Sequence, residues 1–265
     1  MNDSSKYRRR TLLAVAAPVG LLLIFSGCGR DGGREVQGNV ISVRGTVTID
    51  SGKESGSHPQ SVTTASKLSV GDRLETSPDA MASLLLIPGI FVEIGPSAEI
   101  VIRELRVQKL GDAMVDAIKS RLATLQLNHG VIRASLPDIG SGRCELNVQT
   151  GFGTLLAQRG ALISMQLTSE AVRVICVDGE VRWSNARGGP VDKIPEGYFR
   201  DYRRHDGSGN EKPRLRSVSE DAEAQADVAA TLETAAAFDD FVLRARNAPA
   251  PKSSHPVKPR AVQPP

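Results

Sequence analysis

Residues 81–102 read MASLLLIPGIFVEIGPSAEIVI and carry the clearest strand pattern in the chain. Ile90, Val92 and Ile94 fall on one face of an extended segment, and the residues between them fall on the other. The same alternation returns over 98–102. A two-residue period is typical of a strand with one buried face, so both segments predict half-buried strands.

The segment before these strands predicts a hairpin. Residues 81–87 are apolar on both faces, which favours a central strand that is covered on both sides. Pro88 fixes φ near −65° and Gly89 follows it, and this pair suits the two central positions of a type II turn.

Shorter alternating runs predict more strands, over 41–49, 122–127, 131–136, 144–148, 154–157, 162–167, 171–177 and 181–183. Residues 107–129 fit both helical and strand spacing and favour a short helix or hairpin excursion that ends in a strand. Asp178 and Gly179 predict a hairpin turn. Short strands at this spacing predict an all-β fold, an antiparallel β-sandwich or roll. A β-solenoid stays an alternative, although the sequence shows no fixed-period repeat.

The central stretch resembles the FecR domain, an extracytoplasmic β-module of bacterial envelope proteins. The resemblance rests on Leu68, on Val70, Gly71 and Asp72, on Thr76, on the strand pair around Pro88 and Gly89, and on Glu93 to Ser97. Weaker echoes lie in 127–136, 148–160 and 174–183. These matches predict a FecR-like domain over 38–202, and the resemblance implies a role in contacts with protein or polysaccharide.

The N-terminus predicts an export signal. A polar and basic segment over 1–10 precedes an apolar run over 11–25, which is short for a membrane span. The sequence Phe25-Ser26-Gly27-Cys28 resembles the lipobox of bacterial lipoproteins, although leucine is usual where Phe25 stands. We therefore expect a lipoprotein signal peptide over 1–27, lipid attachment at Cys28 and a tether over 28–37. An ordinary signal peptide or an uncleaved anchor is the alternative.

These features predict a location in the cell envelope, anchored by lipid and facing the periplasm or the exterior. Gly29 after the cysteine favours the outer over the inner membrane under the enteric sorting rule. Arg9 and Arg10 also resemble a twin-arginine signal, which leaves the export route open.

The basic charge of the chain belongs largely to this leader. Four of the 33 Lys and Arg residues lie before Cys28, but one of the 30 Asp and Glu residues does. The remaining chain is formally neutral, whereas a nucleic-acid binder is expected to carry a basic field on its folded part. Nucleic acid is therefore not an expected partner.

The C-terminal part predicts three segments. Residues 203–217 are polar and basic and predict a linker. Residues 218–246 predict a helix whose apolar stripe comprises Val228, Leu232, Ala235, Phe238 and Val242, and which packs on the sheet domain or on a partner. Residues 247–265 hold six prolines and no acid, which predicts a disordered basic tail.

The sequence offers little chemistry. Cys144 and Cys176 share strand parity with apolar residues, so they form a disulfide in an oxidising compartment or pack as two buried thiols. No histidine or cysteine stands at metal-ligand spacing from either. The four histidines are expected in a loop (His58), a turn (His129), a linker (His205) and the tail (His255). No nucleotide, hydrolase or metalloprotease motif is present. We expect no catalytic residues, no metal and no cofactor.

The sequence therefore predicts a lipid-anchored, non-enzymatic envelope protein that acts as a binding or scaffold module. The alternative is a signalling component that relays an envelope or transport state to a membrane sensor or anti-sigma system. FecR regulators of iron uptake place a sigma-binding domain before the membrane segment, and the ten residues before the apolar run differ from that plan. A secreted hydrolase would instead need a cleft with two carboxylates at about 5–9 Å.

Overall fold

The computed structural model describes residues 33–52, 58–109, 118–138, 142–186, 188, 190–203 and 213–247. Within them lie eighteen strands: β1 (Arg34–Glu35), β2 (Gly38–Arg44), β3 (Val47–Ser51), β4 (Gln60–Ser61), β5 (Lys67–Leu68), β6 (Asp72–Thr76), β7 (Met81–Ile87), β8 (Ile90–Ile94), β9 (Glu99–Lys109), β10 (Ile118–Ser135), β11 (Arg143–Gln149), β12 (Gly153–Gln158), β13 (Leu162–Leu167), β14 (Ala171–Asp178), β15 (Glu180–Asn185), β16 (Asp192–Pro195), β17 (Tyr198–Arg203) and β18 (Arg216–Ser217). A 3-10 turn (Val218–Glu220) leads into helix α1 (Ala222–Asn247). The predicted all-β fold with a C-terminal helix is confirmed.

The described strands form two sheets with one core between them. Sheet A runs β4–β3–β6–β9–β10–β11–β12–β15–β16, and β1 pairs with the far end of β9 on the side of β6. Sheet B runs β5–β2–β7–β8–β10–β13–β14–β17–β18. In both sheets the long strands are arranged in the order in which they occur in the sequence. The chain alternates between the two sheets as it advances, and this topology makes the sandwich a roll.

Strand β10 belongs to both sheets. Its first part pairs with β9 in sheet A, and its last six residues pair with β13 in sheet B. The crossing falls at Gly130, where φ is +92°. A Cβ there would lie 2.4 Å from the Cα of Ala98, so glycine is required by both the backbone angle and the close approach.

The crossing also explains why the sandwich is not wholly antiparallel. Strand β11 pairs with β10 in parallel, from Ser120 opposite Arg143 to Gln126 opposite Gln149. Parallel neighbours need a long crossover connection. The second half of β10 is part of this crossover connection. The chain leaves sheet A at Gly130 and returns to it as β11, which lies beside the first half of β10.

The core is built from aliphatic residues because the chain has few aromatics. Val, Ile and Leu side chains of both sheets meet in one cluster, together with the fully buried Trp183. The predicted alternation over 90–94 is confirmed: Ile90, Val92 and Ile94 are fully buried on the core side. Full burial of each such side chain contributes about 1.5–3 kcal/mol.

The predicted turn at Pro88 and Gly89 is also confirmed. The two residues join β7 to β8 in an antiparallel hairpin, and Gly89 has a φ of +87°. In β7 the core-facing residues are fully buried, while Met81, Ser83 and Leu85 on the other face are half-buried. The predicted central strand is confirmed, since β7 lies between β2 and β8, but the cover of its outer face is only partial.

Two predicted local structures are replaced by corners between the sheets. The single strand predicted over 41–49 bends at Gly45 (φ +74°), so its halves lie in different sheets. Asp178 and Gly179 do not close a hairpin, because β14 pairs with β13 and β17 whereas β15 pairs with β12 and β16. A glycine at positive φ turns the chain in either case, and only the pairing distinguishes a corner from a hairpin.

Residues 107–129 fitted both helical and strand spacing in the sequence, and all of them that the structure describes form strands. Residues 118–129 belong to β10 and extend the pairing of β9. His129, predicted in a turn, lies within β10 just before the crossing. The hairpin alternative thus fits the described residues, and the rest of the excursion, 110–117, lies outside them.

Helix α1 packs on the outer face of sheet B. Ala224, Thr231, Thr234 and Phe238 are buried at the three- and four-residue spacing of one helix face. Phe238 stacks on Phe91 of β8, with ring centroids 4.7 Å apart.

The predicted apolar stripe of α1 was wrong at Leu232, which is 51% exposed. Threonines take part in the buried face instead. The Thr231 hydroxyl donates to the Asp227 carbonyl (2.6 Å) and the Thr234 hydroxyl to the Ala230 carbonyl (2.9 Å). These bonds satisfy the hydroxyls inside the helix, so two polar residues occupy a buried face at little cost.

Several predicted segments lie outside the described residues. They are the signal peptide (1–27), Cys28, the first part of the tether (28–32), most of the linker (204–212) and the tail beyond 247. The end of the predicted linker, 213–217, is described. Its last two residues, Arg216 and Ser217, form β18, which pairs with β17.

Candidate functional site

The two outer faces of the sandwich differ in how they are covered. Helix α1 lies over sheet B, and the described residues place no helix over sheet A. The outward positions on this face of sheet A alternate with the core positions and are mostly polar, with Val101, Leu122 and Leu156 as half-buried apolar exceptions. This open polar face is the candidate functional site.

One half of the open face is a hydrogen-bonded network across β6, β9 and β10. Arg73 donates to Glu99 (2.6 Å), and Asn128 donates to the other oxygen of the same carboxylate. Gln126 donates to Asn128 (2.7 Å) and accepts from Arg103 (2.9 Å). Each of these side chains is hydrogen-bonded to another in the network, so their positions on this half of the face are fixed before any ligand binds.

Glu99 is the buried centre of that network, with 9% of its side chain exposed. Burial by itself raises the pKa of a carboxyl group, but the hydrogen bonds from Asn128 and Arg73 and the charge of Arg73 act the other way. The outcome is a pKa below the ordinary value, so Glu99 stays ionised as the anchor of the network.

A bulge in β9 forms a cleft beside the network. The register between β9 and β10 shifts at Arg103, which is the extra residue. A cleft of about 340 Å³ lies over this point. Its lining comprises Glu35, Val70, Arg103, Glu104, Leu105, Arg106, Thr124 and Gln149.

The charges in the cleft are balanced. Arg106 lies 3.4 Å from the carboxylate of Glu104, and the Thr124 hydroxyl donates to that carboxylate (3.4 Å). With Arg103 and Glu35, the lining holds two guanidinium and two carboxylate groups. The cleft therefore presents donors and acceptors of both signs and no net charge.

The other half of the face has unengaged polar groups. Asn147, Gln149, Thr154 and Ser184 are half-buried or exposed, and their side chains form no hydrogen bond among the described residues. Gln149 lies opposite Thr154, and Thr154 lies opposite Ser184; Asn147 is on the same face of β11, two residues before Gln149, and lies opposite Leu156. Such groups are free to exchange water for a ligand.

The covered face carries a buried charge cluster. Arg133 of β10 lies 3.0 Å from Glu93 of β8 and 3.5 Å from Asp227 of α1. Thr234 of α1 also reaches Glu93, at 3.0 Å. Burial raises the pKa of Asp227, and the charge of Arg133 offsets part of that rise. The cluster fixes the register of the helix on the sheet.

The start of α1 is held by a second cluster. The carboxylate of Asp221 accepts from the Ala224 backbone amide (2.9 Å) as the helix cap and from Arg216 (3.1 Å). Arg173 pairs with Asp201 (2.7 Å). The guanidinium groups of Arg173 and Arg216 each lie about 5 Å from the ring centre of Phe199. These contacts attach the helix and occupy the polar groups near it.

The end of the core near β16 is closed by an ion pair. Arg200 lies 3.0 Å from Asp192, and both side chains are almost fully buried. The Tyr202 ring stacks on Trp183, with ring centroids 4.6 Å apart. Burial, and then the charge of Asp192, raise the pKa of Tyr202. All four side chains are buried, so the cluster closes this end of the sandwich.

The two cysteines are both on the core side, as their strand parity predicted. The structure holds Cys144 on β11 and Cys176 on β14 as buried free thiols. Burial raises the pKa of Cys144 to about 11 and that of Cys176 to about 12. Such thiols are poor nucleophiles at neutral pH. Their disulfide stays a prediction for the oxidised protein.

No group of three or more His, Cys, Asp or Glu side chains suited to a metal occurs among the described residues. Nor does any described helix have the length and apolar character to cross a membrane. The predicted lipid site, Cys28, lies outside the described residues.

Sequence reasoning missed the network and the cleft. Their residues sit at outward positions of predicted strands, where polar side chains are ordinarily solvated. The available signal was a run of amides and hydroxyls, Thr124, Gln126, Asn128 and then Asn147 and Gln149, at every second position. This pattern indicates a polar surface only once the parallel pairing is known, because that pairing places the amides of β11 beside those of β10.

Comparison with known proteins gives little further guidance. The chain matches no protein-family model and no curated protein. It is similar to two crystal structures, at 1.65 and 2.50 Å resolution, of a "putative anti-sigma factor" from Parabacteroides distasonis ATCC 8503. Each match has a TM-score of 0.37 and 11% sequence identity, and covers 55% of this chain and 59% of that chain. A likeness of this extent carries no argument about function.

Proposed function

We propose that the protein is a non-enzymatic binding module of the bacterial cell envelope and that it binds through the open face of sheet A. The supporting observation is the difference between the two faces. Helix α1 and its two charge clusters occupy the outer face of sheet B. The outer face of sheet A combines a preorganised network, a cleft and unengaged polar groups.

The lipid anchor and the FecR-like character belong to the same proposal. The anchor is supported by the lipobox-like residues that end at Cys28, and the domain type by the strand and turn pattern over 68–97. A diacylated cysteine with a third chain on its amine holds a protein firmly, since one acyl chain alone binds membranes only marginally. The face of sheet A would then be presented to the periplasm or the exterior.

The proposal includes no catalysis. The cleft does hold two carboxylates, Glu35 and Glu104. A glycosidase needs one carboxyl group that stays protonated in apolar surroundings. Glu104 instead lies beside the guanidinium of Arg106 and accepts a hydrogen bond from Thr124. These contacts suit a fixed acceptor of hydrogen bonds.

The anchor is tested by metabolic labelling with palmitate in the native host. The Cys28→Ser variant should lose the label and leave the membrane fraction, while Cys144→Ser should keep both. Separation of the inner and outer membranes then tests the expected outer-membrane location. Equal labelling of the two variants would contradict the lipid anchor.

The binding face is tested by crosslinking and pull-down from native membranes, followed by analysis of both protein and carbohydrate. The variant pair Asn147→Arg and Ser184→Arg places two bulky charges on the open face. Ala229→Arg places one on the exposed side of α1 and is the control. We expect the first to lose captured material and the second to retain it. Equal capture by both would refute the proposed face, and a membrane sensor or anti-sigma protein in the captured material would favour the relay alternative.

A further inference from the structure

The cleft and its neighbouring polar groups indicate the chemistry of the ligand, if the open face is the binding face proposed above. We propose that this face binds an uncharged, hydroxyl-rich glycan chain. The site is the cleft over the β9 bulge, continued by the unengaged side chains of β11, β12 and β15.

The charge distribution favours a neutral ligand. In the cleft, Arg106 is matched by Glu104, and Arg103 is engaged by the amide oxygen of Gln126. An anionic polymer would meet the carboxylates of the cleft and no net positive charge to offset them. The hydroxyl groups of a sugar both donate and accept, so they fit a lining that offers guanidinium donors and carboxylate acceptors together.

The backbone and the apolar residues argue against a peptide. Peptides bind by adding to a free strand edge, by filling apolar grooves, or through arginine clusters that recognise acidic groups. Strands β10 and β11 are paired on both sides along the cleft, and in β9 the Ile102 and Leu105 carbonyls accept from the Gly71 and Val36 amides, so no continuous strand edge is free for a peptide. The apolar lining is confined to Val70 and the fully buried Leu105.

The layout favours a chain rather than a single sugar. Glu35 of β1 lies in register with Arg106 of β9 at one end of the cleft lining, and Gln149 of β11 forms its other end. Gln149 lies in register with Thr154 of β12, and Thr154 with Ser184 of β15, so polar side chains continue beyond the cleft. The register offsets Gln149 along the strands from Arg106, so the site runs diagonally across six neighbouring strands, which at about 4.8 Å per strand span roughly 24 Å.

The ligand class can be tested by affinity electrophoresis of the purified protein in gels that contain dextran, mannan or galactan, with alginate and polygalacturonate as anionic comparisons. We expect at least one neutral polysaccharide, and neither anionic one, to retard the wild-type protein. The combined Asn147→Ala and Gln149→Ala variant should weaken that binding by about tenfold, since each change removes one hydrogen-bonding side chain. The single variant Gln60→Ala, an exposed amide on β4, is the matched control.

These two side chains form no hydrogen bond with any residue that the structure describes, so the variant should fold normally; unchanged urea unfolding checks this. The glycan inference is overturned if no neutral polysaccharide retards the protein, if the anionic ones do so instead, or if the double variant binds like Gln60→Ala. The proposed binding face survives those results if the Asn147→Arg and Ser184→Arg protein still loses captured envelope material. It fails separately if that variant captures as much as Ala229→Arg.

Discussion

The crossing of β10 between the sheets depends on one glycine, and Gly130→Ala tests this. Gly130 has a φ of +92°, and an added Cβ would lie 2.4 Å from both Cα and Cβ of Ala98 and 2.7 Å from the Ser97 carbonyl oxygen. Two of these atoms belong to the backbone of the turn that precedes β9. They can withdraw only if that turn moves away from β10.

The expected loss of stability has two sources. A non-glycine residue in the left-handed region costs about 1–2 kcal/mol. Insertion of a methyl group into a site without space costs about 1–3 kcal/mol more. Alanine also restricts the unfolded chain, which offsets about 0.4–1 kcal/mol. We therefore expect Gly130→Ala to lower the free energy of unfolding by about 2–4 kcal/mol.

Gly160→Ala is the matched control. Gly160 also has a positive φ, +84°, but nothing lies within 4 Å of the added Cβ. It should therefore lose only the strain, about 1 kcal/mol or less. Urea unfolding followed by tryptophan fluorescence reports on the buried Trp183, and the two midpoints should differ by about 1 M. Equal midpoints would refute the claim that close packing at the crossing requires glycine.

Three further predictions concern the helix, the open face and the core thiols. Phe238→Ala removes a buried ring and should destabilise α1 by about 3 kcal/mol, seen as faster amide exchange in α1 but not in β12; equal acceleration in both would contradict it. Glu99 has a lowered folded pKa, so its stabilisation is present above the unfolded value of about 4.3 and is lost as pH falls. Glu99→Gln should therefore flatten the acid limb of the stability curve, and identical limbs would count against the network. Cys144 and Cys176 should react slowly with iodoacetamide at pH 8 when reduced and folded, and rapidly in urea; rapid native labelling would contradict their burial.

Strand identity was predictable from local pattern alone. Ile90, Val92 and Ile94 face the core because a period of two sorts apolar from polar residues whatever the partner strands are. The same rule predicted which side Phe91 and Glu99 would face. It did not predict that Phe238 would cover Phe91, or that Arg73 and Asn128 would bury the Glu99 carboxylate.

Strand partners other than the β7–β8 hairpin were not predictable. Gly45 and Gly179 both turn the chain with positive φ, and a glycine turn looks the same in sequence whether it closes a hairpin or leads to the opposite sheet. The parallel pairing of β11 with β10 likewise depends on where β10 leaves sheet A. Pairing is a contact between distant segments, and a local period contains no information on it.

The sequence by itself determined that the described chain is a set of half-buried strands followed by a helix, because hydrophobic burial imposes its period on each segment separately. Only the tertiary structure decided which face the helix covers and which face stays open. It also placed the amides of β11 beside the cleft of β9, since those positions are adjacent only across paired strands.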